Sequence, residues 1–336
     1  MDSLTHIALG ACIGELFFEK GFGKKAMFWG ALSQSIPDVD FIGSFFLNTP
    51  DSLLAHRGFT HSFLFALFVI PIFALLADYF HRPHNISTLK WLFFFGVELF
   101  VHLLLDVFNN YGIGWFEPFS HERFSFNSLY VVDLFFSIIP WIFFLRLLLL
   151  DRYHLKRKKL ASIALAVPLV YLLSILLVKI YISNDVKNYL TFKHISYSQL
   201  IITPAPLQGF LWYIIVKEPN AFYLGYYSFF DKRYTLKFYH YFQHAELLQN
   251  ISDHENLQKL IRFSQGFYIV RKQRKEIIFN DLRFGQVNGW VDSSQPFVFR
   301  YYLLHPVDQK LIIQKGRFSQ LNISSLLTLY KRVIGD

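Results

Sequence analysis

The sequence predicts a membrane α-helical bundle, with four clear spans and two short N-terminal helical segments, followed by an α+β extramembrane domain. Hydrophobic residues make up 53% of the 336 residues and charged residues only 17%, whereas soluble domains carry about 25% charged residues. The apolar residues are concentrated in long runs before residue 183. After that point, short aromatic and β-branched runs alternate with polar turns, a pattern typical of strands.

Four apolar runs approach the ~20 residues that a helix needs to cross a bilayer. They cover residues 62–80, 89–109, 131–150 and 160–182. Two shorter runs, 4–18 and 26–36, predict either short spans or helices packed at membrane depth. The chain is therefore expected to form a transmembrane domain over residues 1–182 and an extracytoplasmic, β-rich α+β domain over residues 183–336.

Basic residues predict the orientation in the membrane, because Lys and Arg are enriched in cytoplasmic loops. They occur in three alternate loops, as Lys20, Lys24 and Lys25, then Arg82 and Lys90, then Arg152 and Lys156 to Lys159. If all six segments cross the membrane, these loops face the cytoplasm. The loops 37–61 and 110–130 then face outward, together with the N-terminus and the domain after residue 182.

Composition also excludes some classes of protein. The only cysteine, Cys12, rules out an internal disulfide and a Cys-rich zinc finger, so a bound metal would need His and carboxylate ligands. Much of the net charge of +9 lies between residues 152 and 159, beside an apolar segment. This placement is typical of a membrane anchor rather than of a nucleic-acid-binding surface.

In the tail, apolar alternation predicts strands at residues 210–216, 222–230, 267–270, 277–279, 297–304 and 311–314. Helical periodicity predicts helices at residues 246–262 and 324–333. Asp281 and Arg283 lie in a predicted turn and are interpreted as a structural ion pair.

Four clusters of His and Asp residues stand out in the first third of the chain. They are Asp2 with His6, Asp38 with Asp40, the run from His56 to Ser62, and His102 with Asp106. The first and last pairs have i, i+4 spacing, which places both side chains on one helix face. Imidazole together with carboxylate favours Zn²⁺, Mn²⁺ or Fe²⁺ over Ca²⁺.

The predicted topology brings the four clusters to one membrane face, which scattered structural residues would not be expected to do. Ionisable residues in membrane segments are costly and often functional. Some of these residues could still have simpler roles: Asp40 could cap a turn, Arg57 could contact headgroups, and Glu98 could be a structural partner of His102.

These clusters together resemble the YdjM-like family of bacterial inner-membrane proteins, over about the first 140 residues. The block from His56 to Ser62, with the sequence HRGFTHS, is the most specific part. The resemblance implies metal-dependent hydrolysis at the inner membrane. It implies that the metal site draws on Asp2, His6, Asp38, Asp40, His56, His61, His102 and Asp106.

The sequence thus predicts a membrane-bound hydrolase that uses a divalent metal, with zinc preferred and manganese or iron as alternatives. Arg57 would stabilise negative charge on the substrate, and Asp40 or Asp106 would act as general base. A site at the membrane face favours a lipid or lipid-linked phosphoester as substrate. The alternatives are a non-catalytic membrane scaffold and a metal-binding transporter.

Overall fold

The computed structural model describes residues 1–18, 22–82, 86–232, 236–249, 251–274, 276–305, 310–315 and 323–335. Lys20, which the sequence places in the first basic loop, lies outside these residues. The chain divides into two compact units. The first contains residues 1–45 and 55–174, and the second contains residues 46–54 and 175–336.

Helices dominate the first half of the chain. They are α1 (Ser3–Phe17), α2 (Lys24–Ser35), α3 (Thr49–Ala55), α4 (Phe63–His81), α5 (Thr88–Asp106), α6 (Leu134–Leu149) and α7 (Arg157–Phe192). Two 3-10 helices, Pro37–Phe45 and Phe59–His61, lie on either side of α3 in the sequence.

Within the described residues, three helices rather than four are long and apolar enough to cross a membrane: α4, α5 and α7. The run predicted at 131–150 forms only the 16 residues of α6. Its start is fixed by Asp133, whose side chain accepts hydrogen bonds from the backbone N–H groups of Phe135 and Phe136. Side-chain capping of this kind satisfies donors that the first helical turn leaves free.

Helices α1 and α2 approach each other unusually closely. Gly10 and Gly14 on α1 face Ala26 and Gly30 on α2, and a Cβ atom on Gly30 would lie 1.9 Å from the carbonyl oxygen of Gly10. Small residues four apart allow this contact between backbones in apolar helices. The crossing brings the ends of both helices next to α5, where the polar clusters lie.

One member of the basic run after α6 is not an exposed anchor. Arg157 is 2% exposed, and its guanidinium donates to both carboxylate oxygens of Glu15 at 2.8 and 2.6 Å. It also donates to the carbonyl oxygens of Leu147 and Leu150. Because these hydrogen bonds are charge-assisted and largely buried, Arg157 joins the first and last helices of the first unit.

Helix α7 is longer than its predicted span. It has 36 residues and continues past residue 182 to Phe192. The boundary placed at residue 182 therefore falls inside a continuous helix.

The second unit contains two four-stranded antiparallel sheets. The strands of the first sheet follow the order β1 (Gln199–Pro204), β2 (Leu211–Lys217), β3 (Ala221–Ser228) and β4 (Phe238–Phe242). The strands of the second sheet follow the order β5 (Tyr268–Gln273), β6 (Glu276–Gln286), β7 (Phe297–His305) and β8 (Lys310–Lys315). The sheets share an apolar core that includes Phe222 and Leu224 of the first sheet with Ile269 and Phe297 of the second. Outer strands β1 and β4 were not predicted.

Two helices complete this unit, α8 (His254–Phe263) and α9 (Ile323–Ile334). The single helix predicted at 246–262 is replaced by a 3-10 helix, Ala245–Leu248, and α8. Asp253 separates them because its side chain caps α8 by accepting from the backbone N–H of Asn256. The predicted ion pair is confirmed, since Arg283 Nη2 lies 2.6 Å from Asp281 Oδ2 and both side chains are buried.

Candidate metal centre

Four of the predicted residues converge on one point inside the first unit. Asp38 comes from the 3-10 helix that follows α2, His61 from the 3-10 helix that precedes α4, and His102 and Asp106 from α5. All four are buried. Each local structure presents its side chain inward: Pro37 begins the first 3-10 helix, Ser62 caps α4 immediately after His61, and one helical turn separates His102 from Asp106.

The distances between the four ligand atoms resemble the edges of a coordination tetrahedron. Metal–ligand bonds of 2.0–2.2 Å imply edges of roughly 3.4 Å. His61 Nε2 lies 3.5 Å from Asp38 Oδ1 and 3.3 Å from both Asp106 Oδ2 and His102 Nε2. His102 Nε2 lies 3.6 Å from Asp106 Oδ2 and 3.9 Å from Asp38 Oδ1. The set can therefore close around one ion with small side-chain movements.

Hydrogen bonds at the other ring nitrogens leave both Nε2 atoms available as ligands. His102 Nδ1 lies 2.9 Å from the carbonyl oxygen of Gln34, which can only accept a proton. His61 Nδ1 lies 3.3 Å from Asp40 Oδ2 and 3.1 Å from Thr60 Oγ1. Partners of this kind at the non-ligating nitrogen fix the tautomer and orientation of metal-binding histidines.

Negative charge is concentrated around His61. Burial alone would lower the pKa of this imidazole, but hydrogen bonds to Asp106, Asp38 and Asp40 outweigh burial and raise the pKa to about 10. Burial would likewise raise the pKa of the Asp38 carboxyl, yet contacts with His61 and His102 hold it well below its ordinary value. Three neighbouring carboxylates stabilise positive charge at this point, as a cation site requires.

Two carboxylate oxygens of the group have no hydrogen-bond partner among the residues that the structure describes. Asp38 Oδ2 and Asp106 Oδ2 are both inaccessible to solvent and make no hydrogen bond there. A buried carboxylate oxygen without a partner is costly. The donor set, two imidazole nitrogens and two carboxylates, together with these two oxygens, fits a divalent ion of the zinc, manganese or iron type.

Arg57 lies behind the centre rather than in it. It is 2% exposed, and its Nη2 donates to the carbonyl oxygen of Met1 at 2.7 Å and lies 3.2 Å from Asp106 Oδ1. Its backbone has a left-handed φ of +57°, which costs about 1–3 kcal/mol for a residue other than glycine. Nε and Nη1 are inaccessible to solvent and make no hydrogen bonds within the described part of the chain.

The other four predicted ligands lie outside the four-atom group. His6 Nε2 contacts the other oxygen of Asp106 at 3.2 Å, and its ring stacks on that of His102 at 3.9 Å. Asp40 accepts from the backbone N–H of Arg57 at 2.7 Å and contacts His56 and His61. Both oxygens of Asp40 are therefore engaged, which leaves it poorly placed as a general base.

Asp2 and His56 are the most distant of the eight. The carboxylate of Asp2 caps α1, accepting from the backbone N–H and the hydroxyl of Thr5. His56 contacts Asp40 from the outer side, and 32% of its side chain is exposed. The geometry gives Asp2 a capping role and His56 an outer position.

Sequence reasoning missed Gln34 and the contribution of Met1. Gln34 Oε1 faces His6 Nδ1 at 3.0 Å, while its Nε2 donates to Glu98 Oε2 at 3.0 Å. The amino group of Met1 forms an ion pair with Asp106. A lone glutamine in an apolar segment carries no distinctive spacing, although the polar pair of Gln34 with Glu98 at membrane depth could have drawn attention to both.

Asp40→Asn is expected to weaken metal binding by about 10- to 100-fold, because partners of metal-bound histidines have effects of this size. The asparagine amide can present an N–H to His61 Nδ1, which disfavours the tautomer that the site needs. Metal affinity can be measured by competition with a chelating dye. Asp51→Asn, a change at a partly exposed position in α3, provides the control, and equal affinities in both variants would contradict this role for Asp40.

The fold and the centre together define a class: a helical membrane domain with a buried His and Asp cluster that could hold a metal, joined to a β-rich domain. Residues 1–185 match the family model described as YdjM inner membrane protein, and the chain belongs to this family. The family predicted from the His and Asp clusters is thereby confirmed.

Two bacterial proteins are similar to this chain. The chain is 33% identical over 123 residues to inner membrane protein YbcI of Escherichia coli (strain K12), covering 36% of this chain and 69% of that protein. It is 25% identical over 237 residues to uncharacterized protein YfhP of Bacillus subtilis (strain 168), covering 67% and 68%. No solved structure matches the chain. The family and the first relative are inner-membrane proteins by name, and the apolar helices fit insertion into a membrane.

Proposed function

We propose that this protein is a metal-dependent hydrolase of the bacterial inner membrane that cleaves a lipid or lipid-linked phosphoester at the outer face of that membrane. The single observation that carries the proposal is the near-tetrahedral set of Asp38, His61, His102 and Asp106, with five interatomic distances between 3.3 and 3.9 Å. The family relationship supports the membrane location, and the positive-inside pattern supports the outward orientation, including that of the C-terminal domain.

The four residues would hold the ion, and two imidazoles with two carboxylates suit zinc, with manganese or iron as alternatives. A divalent ion bound there would supply Lewis acidity to water and to a phosphoryl or acyl oxygen. Proton transfer and stabilisation of the substrate's charge would fall to the protein's own side chains.

Asp38 is the best-placed general base, since its Oδ2 has no hydrogen-bond partner among the described residues and the residue is 8% exposed, whereas Asp106 is fully buried. It would accept a proton from the attacking water. The positive charge of Arg57 behind the centre would stabilise negative charge that develops on the substrate, while its Nη2 holds Asp106 in place. Asp40 orients His61.

The proposed substrate follows from the composition near the centre. The 3-10 helix that carries Asp38 exposes Phe41 and Phe45, with 59% and 74% of each residue accessible. Exposed aromatic residues beside a membrane domain favour contact with lipid chains. A lipid-linked substrate would bring its ester to the centre from the bilayer.

The test is a hydrolysis assay on detergent-purified protein, with phosphatidic acid, phosphatidylglycerol and a polyprenyl phosphate as substrates. Metal-loaded wild type is expected to release product, chelation to abolish release, and Asp38→Asn to reduce the rate at least 100-fold. His121→Ala is the control, because His121 is 57% exposed and forms its ion pair with Glu117, away from the four ligands. Metal-loaded protein without hydrolysis of any substrate would instead favour a metal-binding transporter or a scaffold.

A further inference from the structure

A cationic cleft in the second unit has no role in the proposed reaction. Its volume is about 770 Å³, within the range of roughly 300–1,000 Å³ typical of small-molecule sites. The polar side chains that line it include His244, Arg271, Lys272, Asn280, Ser294 and Arg300. Leu247, Val270, Ile278 and Pro296 provide apolar walls.

The sheet register places two of the cations on one face. Ile269 lies opposite Asn280, and Asn280 lies opposite Arg300. Arg271 follows Ile269 by two residues and so projects from the same face. Because strands fix the backbone positions, Arg271 on β5 and Arg300 on β7 are held on the same face, on either side of β6, without any loop rearrangement.

The cations of the cleft have no counterions among the described residues. Arg271, Lys272 and Arg300 make no ion pair with a carboxylate in the described ranges of the chain. Arg300 Nε is inaccessible to solvent and makes no hydrogen bond there. Arg271 and Arg300 share one face of the sheet, whereas Lys272, next to Arg271 in the strand, projects from the other face. Two positive charges on one face without partners repel one another and stabilise an anion between them.

Two carboxylates close in sequence to lining residues of the cleft are already engaged. Glu246 Oε1 lies 3.0 Å from His244 Nδ1. Asp292 accepts from the backbone N–H and the hydroxyl of Ser294, both at 2.8 Å. The guanidinium of Arg271 lies over the rings of Tyr241 and Phe297, 5.5 and 5.4 Å from their centroids, which orients its N–H groups before any ligand arrives.

We propose that this cleft binds a phosphate monoester, either a free metabolite or the headgroup of a lipid. A phosphate monoester carries close to two negative charges at neutral pH and offers three acceptor oxygens. The two guanidinium groups match that charge better than they match a single carboxylate, and planar guanidinium groups bind phosphate through paired hydrogen bonds. The apolar walls would contact the organic part of the ligand.

The test measures binding to the full chain in detergent by isothermal titration calorimetry. The probes are glycerol 3-phosphate, inorganic phosphate, glycerate, and dihexanoyl phosphatidic acid beside dihexanoyl phosphatidylcholine. Arg271→Gln and Arg300→Gln are each expected to weaken binding of the phosphate monoesters at least tenfold, and glycerate is expected to bind at least tenfold more weakly than glycerol 3-phosphate. If dihexanoyl phosphatidic acid binds more tightly than glycerol 3-phosphate, the ligand is a lipid headgroup. If the two bind equally, the ligand is a soluble phosphate monoester.

Arg274→Gln is the matched control, because Arg274 is exposed in the adjacent turn and does not line the cleft. It should change the affinity less than twofold. Equal affinity in wild type and both cleft variants would overturn the proposal, as would an equal loss in Arg274→Gln, which would indicate general charge attraction. If Arg300→Gln does not fold, Arg300→Lys retains the charge, and at least a threefold loss is expected. His102→Ala should leave this binding unchanged, which separates the cleft from the metal centre.

Discussion

Protein purified with His61→Ala or His102→Ala is expected to contain less than a tenth of the metal found in wild type. Each substitution removes a nitrogen that lies within 3.9 Å of the other ligand atoms of the set. The ion is then left with two carboxylates and one imidazole, and it has lost one of the two imidazoles that favour zinc. Plasma mass spectrometry on detergent-purified protein, after metal is added back and excess removed, measures the content directly.

Two controls sharpen this result. His121→Ala, at an exposed position, should retain the full metal content. His56→Ala should retain most of it, because the ion pair of His56 is with Asp40, which is not one of the four ligands. Wild type that holds no metal would refute the centre, and so would variants at His61 and His102 that remain loaded. Thermal unfolding of each variant distinguishes loss of metal from loss of fold.

Gly30→Ala is expected to destabilise the membrane domain by about 3 kcal/mol or more, at the upper end of the usual cost of overpacking. The new Cβ would lie 1.9 Å from the carbonyl oxygen of Gly10 and 2.6 Å from its carbon. These are backbone atoms, so α1 and α2 would have to separate. Since α1 carries His6 and α2 carries Gln34, separation would also disturb the contacts behind Asp106 and His102.

Gly96→Ala provides the matched control for this prediction. Gly96 lies in α5, and a Cβ there would have no atom within 4 Å. Alanine is favoured over glycine inside a helix by about 1 kcal/mol, so this variant should be as stable as wild type or more so. The stability of both variants can be measured by thermal unfolding in detergent, monitored by circular dichroism. Size-exclusion chromatography would show whether each variant remains folded. An unchanged midpoint for Gly30→Ala would show that the helices can separate at little cost.

The sequence by itself determined the membrane location, the family and the neighbourhood of the centre. Long apolar runs need a bilayer because their helices have no other apolar environment of sufficient extent. The i, i+4 spacing of His102 and Asp106 predicts a shared helix face, and α5 places both side chains in the same cluster. Six of the eight strands described in the tail, all but β1 and β4, were likewise evident, because side-chain direction in a strand has a period of two.

Only the tertiary structure decided which four of eight predicted ligands meet. Asp38 and Asp40 are two residues apart, yet one faces the other ligands and the other accepts from the backbone of Arg57. That choice depends on how the 3-10 helix packs, which residue spacing does not encode. The partners of Gln34 and the cleft between Arg271 and Arg300 also depended on packing, because each joins residues that are distant in the chain. The number of helices long enough to span the membrane was likewise decided only by the structure.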